Sequence, residues 1–396
     1  MKVLLISPRL PAGGGKGDQL RAFQFIEAVA RSHSVEVVTT GVGIRTAGDE
    51  AALGRLAAVE LQHVPFAVRA SGALAALLRG QPAQVGWMMP GRAWRAVRRR
   101  AAKADVVLAI TVRSLRGPLP APVILDHVDA LSANMRRRAT GPESAPIRWA
   151  ARLEATLLAR WERRLRRHAV AQLAISALDA RLVPSPPEVR VVPNCVDVSP
   201  LSARHDVDRD IDVIFTGSMT YPPNAAAARW LEDAIAPALW AQKPGASIWV
   251  VGRDADRLAL DPRLHVRANV ADVGVYLRRA KIALAPLRIG TGSPNKVLEA
   301  IAAGAAVVAT TAAVEPFAFP PGTVVTAEDA GGLATAAARL LADGITRAAM
   351  VKRARSVVLS YGCEAQRERL EAILAEVVAQ SVSTNHSENG LALPLL

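Results

Sequence analysis

The sequence has few cysteines and lacks a long uninterrupted apolar run. Its 396 residues include two cysteines, Cys195 and Cys363, which lie far apart and form neither a disulfide framework nor the spacing of a metal site. This scarcity excludes a small disulfide-stabilised domain and indicates a reducing compartment. The apolar stretch 301–314 contains a glycine and falls short of the roughly 20 residues that span a bilayer. We therefore expect no transmembrane helix.

The amino terminus also lacks the features of a secretion signal. Its sequence, MKVLLISPRLPAGGG, places a single lysine and only a few apolar residues before Ser7 and Pro8. A signal peptide needs a longer apolar region, and this segment instead has the pattern of a buried first strand. We therefore expect a cytoplasmic protein.

Aromatic residues are scarce, and acidic residues are outnumbered in one part of the chain. The formal net charge is +14, and residues 91–170 contain 18 Lys and Arg against 6 Asp and Glu, so this window carries +12 of it. Such a patch attracts phosphate-bearing partners, whether anionic lipid, nucleic acid or a diphosphate-linked substrate. Because aromatic residues make up only 4% and no nucleic-acid motif is recognisable, we expect no nucleic-acid partner.

Short apolar runs rich in Val, Ile and Leu alternate with amphipathic segments along most of the chain. This alternation is typical of βαβ units with a parallel sheet, and at roughly 150 residues per domain the length favours two domains. The sequence predicts an α/β protein with Rossmann-like domains at 1–198 and 199–362, a helix at 363–380 and a loose polar tail at 381–396.

The segment PLRIGTGSPNKVLEAIAAG, residues 286–304, contains the sharpest local motif. An apolar strand runs into a glycine-bearing loop, and Ser293 stands where an N-cap hydroxyl is expected. Pro294 occupies the first helical position and Gly304 follows the end of the helix. The segment is thus predicted to be a loop that leads into a helix N-terminus.

A helix start of this kind favours an anion, because its backbone N–H groups and the helix dipole are positive. Lys296 in the first turn adds a full charge, so a diphosphate is the expected ligand. Glu299, on the next turn, has two carboxylate oxygens that suit the paired hydroxyls of a ribose. The residues alone are also compatible with a well-capped helix whose lysine and glutamate are solvated.

Four separated stretches together resemble one family. They are GGGKGDQLRAF at 13–23, VVPNCVD at 191–197, FTGSMTYPPNAAAARWL at 215–231 and the segment at 286–304. Their combination resembles the retaining GT-B glycosyltransferases of the "group 1" family, and most of all the bacterial sugar transferases that build exopolysaccharide and other surface glycans. The resemblance implies two Rossmann-like domains that face each other across a central cleft.

The resemblance also implies a nucleotide diphosphate-sugar as donor substrate, no cofactor and no metal ion. Glu299 matches the glutamate that holds the nucleotide ribose, and Asn295 and Lys296 match positions near the diphosphate. Many members carry a further glutamate where this chain has Thr291, although a subgroup with the same RxxxGxxNKxLEA arrangement lacks it. The implied donor contacts are Gly14, Gly15, Arg288, Gly290, Thr291, Gly292, Ser293, Asn295, Lys296 and Glu299.

The glycine loop GGGKGD after the first predicted strand fits neither common nucleotide-binding fingerprint. A third Rossmann glycine would fall on Asp18, and a P-loop would need Ser or Thr at Gly17. In the resembled family this loop faces the cleft, which implies that Lys16, Asp18 and Arg21 touch donor phosphate or acceptor, and we assign them to the acceptor. An ordinary strand-to-helix turn with solvated charges fits the residues equally well.

A histidine follows another predicted strand, in PVILDHVDALS. The resemblance implies that His127 lies near the reacting sugar and is catalytic together with Lys296, whereas a lone histidine is more often a half-buried residue without such a role. Asp254 and Asp256 imitate a metal-binding DxD motif, but they follow a strand of the second domain. We interpret them as part of a solvated loop.

The basic window contains a predicted amphipathic helix at 147–169. One face collects apolar side chains while five arginines lie away from it; the apolar residues are Ala150, Leu153, Leu157, Trp161 and Leu165. The default interpretation is a helix that covers the core of the domain and keeps its arginines in water. Residues 147–168 also suit docking on an anionic membrane, helped by the arginine runs at 97–100 and 135–138. Docking would place the protein on the inner face of the plasma membrane.

The sequence therefore predicts a glycosyltransferase of polysaccharide or glycoconjugate biosynthesis. It would move a sugar from a nucleotide diphosphate-sugar to a glycan or lipid-linked acceptor with retention of configuration, as the resemblance implies. No protein nucleophile stands out, so positioning and stabilisation of the departing diphosphate would carry the reaction. The alternative is a GT-B protein that has lost transfer and serves as a binding or scaffolding subunit, and Thr291 motivates it.

Overall fold

The computed structural model of the chain describes residues 1–43, 46–141, 144–199, 208–288 and 293–389. The chain divides into two compact units. The N-terminal unit comprises Met1–Pro193 and the C-terminal segment from Gln366, and the C-terminal unit comprises Asn194–Ala365. Each unit is built on one parallel sheet flanked by helices. This architecture confirms the predicted α/β class with two Rossmann-like halves.

Within the described ranges, the N-terminal unit has a seven-stranded parallel sheet in the order β3-β2-β1-β4-β5-β6-β7. Its strands are β1 Lys2–Ser7, β2 Ser34–Thr39, β3 Ala58–Leu61, β4 Val106–Ile110, β5 Val123–Asp126, β6 Ala171–Ala174 and β7 Val189–Val191. The inner strands are near-continuous apolar runs, because a parallel sheet is covered on both faces. In β1, every residue after Lys2 is buried.

Helices cover both faces of this sheet. In chain order they are α1 Gly17–Val29, α2 Ala47–Gly54, α3 Phe66–Leu78, α4 Ala83–Met88, α5 Gly91–Ala101, α6 Leu131–Ala139, α7 Ala145–Leu165 and α8 Ala177–Leu182. One core cluster contains α1 side chains such as Phe25 and Ile26. The other contains Val85 of α4, Val97 of α5 and Trp161 of α7. These helices therefore pack on opposite faces of the same sheet.

Among the described residues, the C-terminal unit has a six-stranded parallel sheet in the order β10-β9-β8-β11-β12-β13. Its strands are β8 Ile211–Thr216, β9 Ile248–Gly252, β10 His265–Ala268, β11 Ala280–Ala285, β12 Ala306–Ala309 and β13 Val325–Thr326. Its helices are α9 Pro222–Trp230, α10 Ala236–Gln242, α11 Val273–Arg279, α12 Asn295–Ala302, α13 Thr311–Val314, α14 Ala330–Ala342 and α15 Gly344–Leu359. A π-helical segment, Leu231–Ile235, joins α9 to α10.

A long C-terminal helix, α16 (Cys363–Asn389), returns to the N-terminal unit. Its apolar side chains join the core cluster around α1; they are Leu370, Ile373, Leu374 and Val377. Glu371 Oε2 lies 2.6 Å from His33 Nε2, and Glu376 forms a bidentate pair with Arg190. The helix runs past its predicted end at residue 380. No helix in the described ranges is both long and apolar enough to cross a membrane.

The two cysteines form a disulfide, with their Cα atoms 4.7 Å apart. The prediction that Cys195 and Cys363 form no disulfide is therefore wrong. A sequence separation of 168 residues does not reveal that the chain enters and leaves the C-terminal unit at one place. Val196 N donates to Tyr361 O there, over 3.0 Å. The expectation of a reducing compartment, which depended on unpaired cysteines, loses that support.

Candidate functional site

The first candidate site lies at the carboxyl ends of β8 and β9 in the C-terminal unit. Gly217 follows β8, and its N–H donates to Val251 O over 3.1 Å. Gly252, at φ +149°, ends β9, and a Cβ there would overlap the Gly217 carbonyl. A Cβ on Gly217 would lie 2.7 Å from Asn224 Nδ2 and 2.9 Å from Lys296 Nζ. The two glycines therefore let the backbone approach both polar side chains closely.

Lys296 projects from the first turn of α12 toward β8. Its Nζ donates to Asn224 Oδ1 over 2.8 Å and lies 4.4 Å from the centre of the Phe215 ring. Asn224 is buried, and its Nδ2 donates to Ser218 O over 3.0 Å. Because both ends of the amide are engaged, Asn224 holds the lysine ammonium in one position beside the Gly217 backbone.

Burial sets the charge of this lysine. It lowers the pKa of Lys296 to about 7, while the negative charge of Glu299 acts in the opposite direction. Glu299 itself lies one turn further along α12 and keeps an exposed surface. An ammonium with this pKa titrates near neutral pH, and an arriving anion would favour its charged form.

The start of α12 differs by one residue from the prediction. The helix begins at Asn295, and Pro294 occupies the N-cap position at φ −74° and ψ +99° without a side-chain cap. The prediction that Ser293 supplies the N-cap hydroxyl is therefore wrong, because Pro294 is extended and not helical. Gly304 ends the helix at φ +80°, as predicted. No side chain among the described residues caps the first turn. Val297 N donates to Pro294 O, and the N–H groups of Asn295 and Lys296 are suited to an anion.

The other predicted donor contacts are only partly described. Arg288 is exposed, and its guanidinium stacks over the Trp230 ring at 3.8 Å. Asn295 Oδ1 accepts from Asn194 Nδ2 at 3.5 Å. Gly290, Thr291 and Gly292 lie outside the described residues. The structure thus gathers Lys296, Asn295 and Glu299 at the start of one helix.

The sequence alone does not predict a role for three residues of this site. Phe215, Asn224 and Trp230 all come from FTGSMTYPPNAAAARWL, a stretch noted as a whole without roles for its members. This stretch contains no basic residue before Arg229 to suggest a phosphate contact. Asn224 and Trp230 instead act through Lys296 and Arg288, which a spacing pattern does not reveal.

In the N-terminal unit, Arg21 is fully buried rather than available to an acceptor. Its Nε and Nη2 donate to the two carboxylate oxygens of Asp126 over 2.5 and 2.9 Å, and Nη1 donates to Val192 O over 2.7 Å. The prediction that Arg21 binds the acceptor is therefore wrong. A buried arginine needs all of these partners, and the pair fixes α1 against the end of β5.

His127 is also buried, immediately after β5. Its Nε2 lies 2.9 Å from Gln172 Oε1, while Gln172 Nε2 donates to Pro184 O and Pro187 O. Because the amide N–H groups are used, Gln172 presents its oxygen and His127 Nε2 carries the proton. Burial lowers the pKa of His127, so the ring is neutral. Its Nδ1 is a buried acceptor without a hydrogen-bond partner among the described residues.

A mixed-charge cluster lies near the carboxyl ends of β1, β4 and β5. Asp18 accepts from Arg9 over 2.6 Å and lies 3.5 Å from Arg113. Asp129 accepts from Asn134 over 2.6 Å. Burial raises the pKa of Asp129 to about 6, against the opposing charge of Arg113. Asp18 is therefore partly neutralised by arginine, unlike the solvated charge of an ordinary turn.

The glycine loop before α1 is a tight turn. A Cβ on Gly15 would lie 2.6 Å from Gln19 Cβ, so a side chain there would collide with the helix. Gln19 Oε1 accepts from Lys16 N over 3.2 Å, and Gln19 Nε2 donates to Leu10 O over 2.9 Å. Lys16 and Gly14 are exposed. Of the three predicted acceptor contacts, Lys16 is thus the one that points its charge to solvent.

The DxD-like pair in the C-terminal unit forms local contacts. Asp254 adopts φ +56° and pairs with Arg257 at 2.9 Å, while Asp256 is exposed. Over the part of the chain that the structure describes, no group of three or more His, Cys, Asp or Glu is placed to hold a metal ion.

Comparison with known proteins agrees with this architecture. Residues 210–343 match the sequence model of the family described as Glycosyl transferases group 1. No curated relative matches this sequence. The crystal structure of HepE from Anabaena in complex with UDP-glucose superposes with a TM-score of 0.66 at 15% identity, covering 95% of this chain and 100% of that one.

Two further solved structures are similar over nearly their whole length. Sucrose-phosphate synthase from Thermosynechococcus elongatus has a TM-score of 0.64 at 17% identity, with 96% of this chain and 100% of that one covered. WaaG, a glycosyltransferase involved in lipopolysaccharide biosynthesis, has a TM-score of 0.61 at 15% identity, with coverages of 94% and 99%. Residues 210–343 thus match the group 1 glycosyltransferase family, and the chain has the GT-B fold of two Rossmann-like units.

Proposed function

We propose that the protein transfers a sugar from a nucleotide diphosphate-sugar to a hydroxyl of a glycan or lipid-linked acceptor, with retention of configuration. The observation that carries this proposal is the Lys296 ammonium, held by Asn224 at the start of α12. Support comes from the family match over this region and from HepE, whose structure contains UDP-glucose. WaaG, a glycosyltransferase of lipopolysaccharide biosynthesis, supports a role in surface-glycan synthesis.

On the donor side, Lys296 and the first N–H groups of α12 would bind the diphosphate. Their positive charge matters most as the sugar–phosphate bond breaks, because the departing diphosphate then gains negative charge. Glu299 would accept hydrogen bonds from the ribose hydroxyls, and Arg288 would add charge from its stack on Trp230. No protein nucleophile is required if the leaving phosphate takes the acceptor proton. We propose no cofactor and no metal ion for this reaction.

In the N-terminal unit, His127 would act as a neutral acceptor. Its Nε2 proton is directed to Gln172 and its Nδ1 has a lone pair, but this nitrogen is buried, so a sugar hydroxyl would reach it only after the residues that cover it move. Lys16, exposed in the glycine loop, would contact an anionic acceptor, and Asp18 would orient it. We further propose that the protein acts in the cytoplasm, on the inner face of the plasma membrane.

A ligand panel tests this function. The purified protein is heated with nucleoside diphosphates and nucleotide-sugars, and the binding nucleotide is expected to raise the unfolding free energy by about 2.7 kcal/mol at 100 times its Kd. Glu299→Ala is expected to weaken nucleotide binding about tenfold, because one hydrogen-bonded carboxylate contributes about 1.5 kcal/mol. Asp233→Ala, which removes an exposed carboxylate of the same unit, serves as the control. Binding without turnover of any nucleotide-sugar would favour the scaffolding alternative, and absence of binding would refute sugar transfer.

The pH dependence of donor binding tests the role of Lys296 separately. Lys296 is charged below its pKa of about 7. Above that pH the lysine must take up a proton before it can pair with the anion. The Kd for the nucleoside diphosphate is therefore expected to rise above pH 7, by up to about tenfold per pH unit. Asn224→Asp puts a carboxylate beside the ammonium, which raises its pKa and moves the inflection to higher pH.

Isothermal titration across pH measures both effects. Lys296→Arg provides the matched comparison, because a guanidinium stays charged throughout and should give a flat profile. A rise in Kd that persists in Lys296→Arg would assign the titration to another group and contradict the prediction.

A further inference from the structure

Helix α3 (Phe66–Leu78) is attached to the N-terminal unit by one narrow face. The backbones of Gly72 and Gly86 touch, so that a Cβ on Gly72 would lie 2.6 Å from Gly86 O. Arg69 is buried and donates to Thr40 O and Trp87 O over 2.7 and 3.2 Å. Arg69, Gly72 and Ala76 share this face at helical spacing. The orientation of α3 is therefore fixed by α4 and the end of β2.

The remaining surface of α3 is exposed and, apart from Ser71, apolar. Leu74 and Leu78, with 59% and 81% of their surface accessible, lie opposite Arg69, and Val68 and Leu77 are exposed as well. Phe66 packs edge-on against the Trp87 ring of α4 and is still 73% accessible. Arg69 is the only charged residue in the sequence FAVRASGALAALL, and it points inward. A surface helix of a soluble protein normally carries charged residues on its outer face, so this face indicates a partner.

The beginning of α7 adds a second apolar group nearby. Glu154 of α7 accepts from the N–H groups of Ala83 and Gln84 at the start of α4, over 3.1 and 3.0 Å. Since only residues 79–82 join α3 to α4, this contact brings α7 beside the end of α3. The exposed apolar side chains of this part of α7 are Ile147 at 42%, Trp149 at 68% and Leu153 at 41%.

These side chains also correct one sequence prediction. Leu157, Trp161 and Leu165 of α7 face the core as expected, but Ala150 and Leu153 are exposed. Before Leu157, the described side chains that α7 buries are the small Ala151 and Ala155, which do not lie on the same side of the helix as Leu153. A helical wheel alone does not show which turns of α7 contact the core.

Basic side chains flank this surface. Residues 61–90, which form α3 and α4, contain two arginines and no Asp or Glu. Arg79 at the end of α3 and Arg148 and Arg152 on α7 are exposed beside the apolar side chains. The acidic Glu154 is occupied by the α4 N–H groups. An anionic surface that accepts both arginines and apolar side chains is a bilayer rich in acidic phospholipid.

We propose that the outer face of α3 and the first turns of α7 form one membrane-docking surface. Phe66, Leu74, Leu78 and Trp149 enter the boundary between headgroups and acyl chains, and the flanking arginines bind lipid phosphates. This deepens the membrane location in the proposed function by adding α3 as the apolar anchor. Docking does not depend on sugar transfer, so vesicle binding and donor binding are measured separately.

Co-sedimentation of the full chain with vesicles tests the surface. Binding is expected to vesicles of phosphatidylcholine with phosphatidylglycerol, to weaken with added salt and to be lost on pure phosphatidylcholine. Leu74→Ser with Leu78→Ser is expected to reduce partitioning at least about tenfold, because it removes two apolar anchors. Ile345→Ser, at an 86% exposed position on α15 of the other unit, is the matched control and should bind as the parent does.

A second readout separates docking from misfolding and from self-association. The Leu74→Ser, Leu78→Ser variant should keep the parent melting temperature and its donor-induced thermal shift, while the parent alone shows a blue shift of tryptophan emission on vesicles. Equal vesicle binding by parent and variant would overturn the proposal. A parent that is a dimer in solution and becomes a monomer in the variant would overturn it too, by assigning this face to a second copy of the chain.

Discussion

Lys296→Ala is expected to weaken binding of the nucleoside diphosphate about 100-fold and to reduce kcat/KM about a thousandfold. The first effect follows because a charged hydrogen bond to phosphate, including the charge that it neutralises, contributes about 3 kcal/mol. The additional loss in turnover follows because the diphosphate carries more negative charge in the transition state than in the bound donor. The geometry supports this size of effect, since Asn224 holds the ammonium beside the Gly217 backbone.

Isothermal titration gives the Kd, and initial rates with the nucleotide-sugar found in the ligand panel give kcat/KM. Lys243→Ala is the control, because Lys243 is exposed at the end of α10, just before β9. It therefore lies at the amino ends of the strands, away from the site at their carboxyl ends. Equal Kd values for Lys296→Ala and the parent would show that the diphosphate does not bind at the start of α12. A weakened Kd with an unchanged kcat would keep Lys296 as a binding group and exclude its role in the transition state.

Breaking the Cys195–Cys363 disulfide is expected to lower the unfolding free energy of the C-terminal unit by about 5 kcal/mol. This value follows from the chain entropy of a closed loop of 168 residues, because the open chain gains freedom mainly in the unfolded state. The bond joins the residues at which the chain enters and leaves this unit, so it encloses nearly the whole unit. At about 2 kcal/mol per molar urea, the midpoint should fall by roughly 2.5 M.

Urea unfolding with and without dithiothreitol measures this effect. Tryptophan emission follows the C-terminal unit when the tryptophans of the N-terminal unit are replaced by phenylalanine, leaving Trp230, Trp240 and Trp249. Cys195→Ser with Cys363→Ser should match the reduced protein and show no response to dithiothreitol. A midpoint that is the same in oxidised and reduced protein would show that the bond contributes nothing to stability.

The sequence predicts much of the fold because local patterns suffice for it. The apolar run at β1 and the end of α12 before Gly304 fall where expected, since parallel strands are continuous apolar runs and a glycine marks the end of a helix. Helix α3 has no such signal, because the side chains on its outer face are as apolar as those of a core helix. Periodicity marks a helix only when one face is polar.

The candidate site is predictable only where a residue acts through its own charge. Lys296 and Glu299 are recognisable because charged groups at a helix start favour a specific chemistry. Arg21 has the same kind of charge, yet the fold pairs it with Asp126, 105 positions away. Asn224 and Trp230 matter through the side chains that they hold, and Cys195 through a partner 168 residues distant. Contacts of this range come from the topology and not from spacing.

The return of α16 to the N-terminal unit has a consequence for biosynthesis. The core around α1 includes Leu370, Ile373, Leu374 and Val377, which a ribosome makes after the entire C-terminal unit. Domains usually fold in the order of their synthesis. Here the C-terminal unit is complete first, and the N-terminal sheet must wait with one face covered by α1 but not yet by α16 until the last helix emerges. Nascent chains stalled before residue 370 should therefore expose that face to chaperones, although every strand of the sheet has already been made.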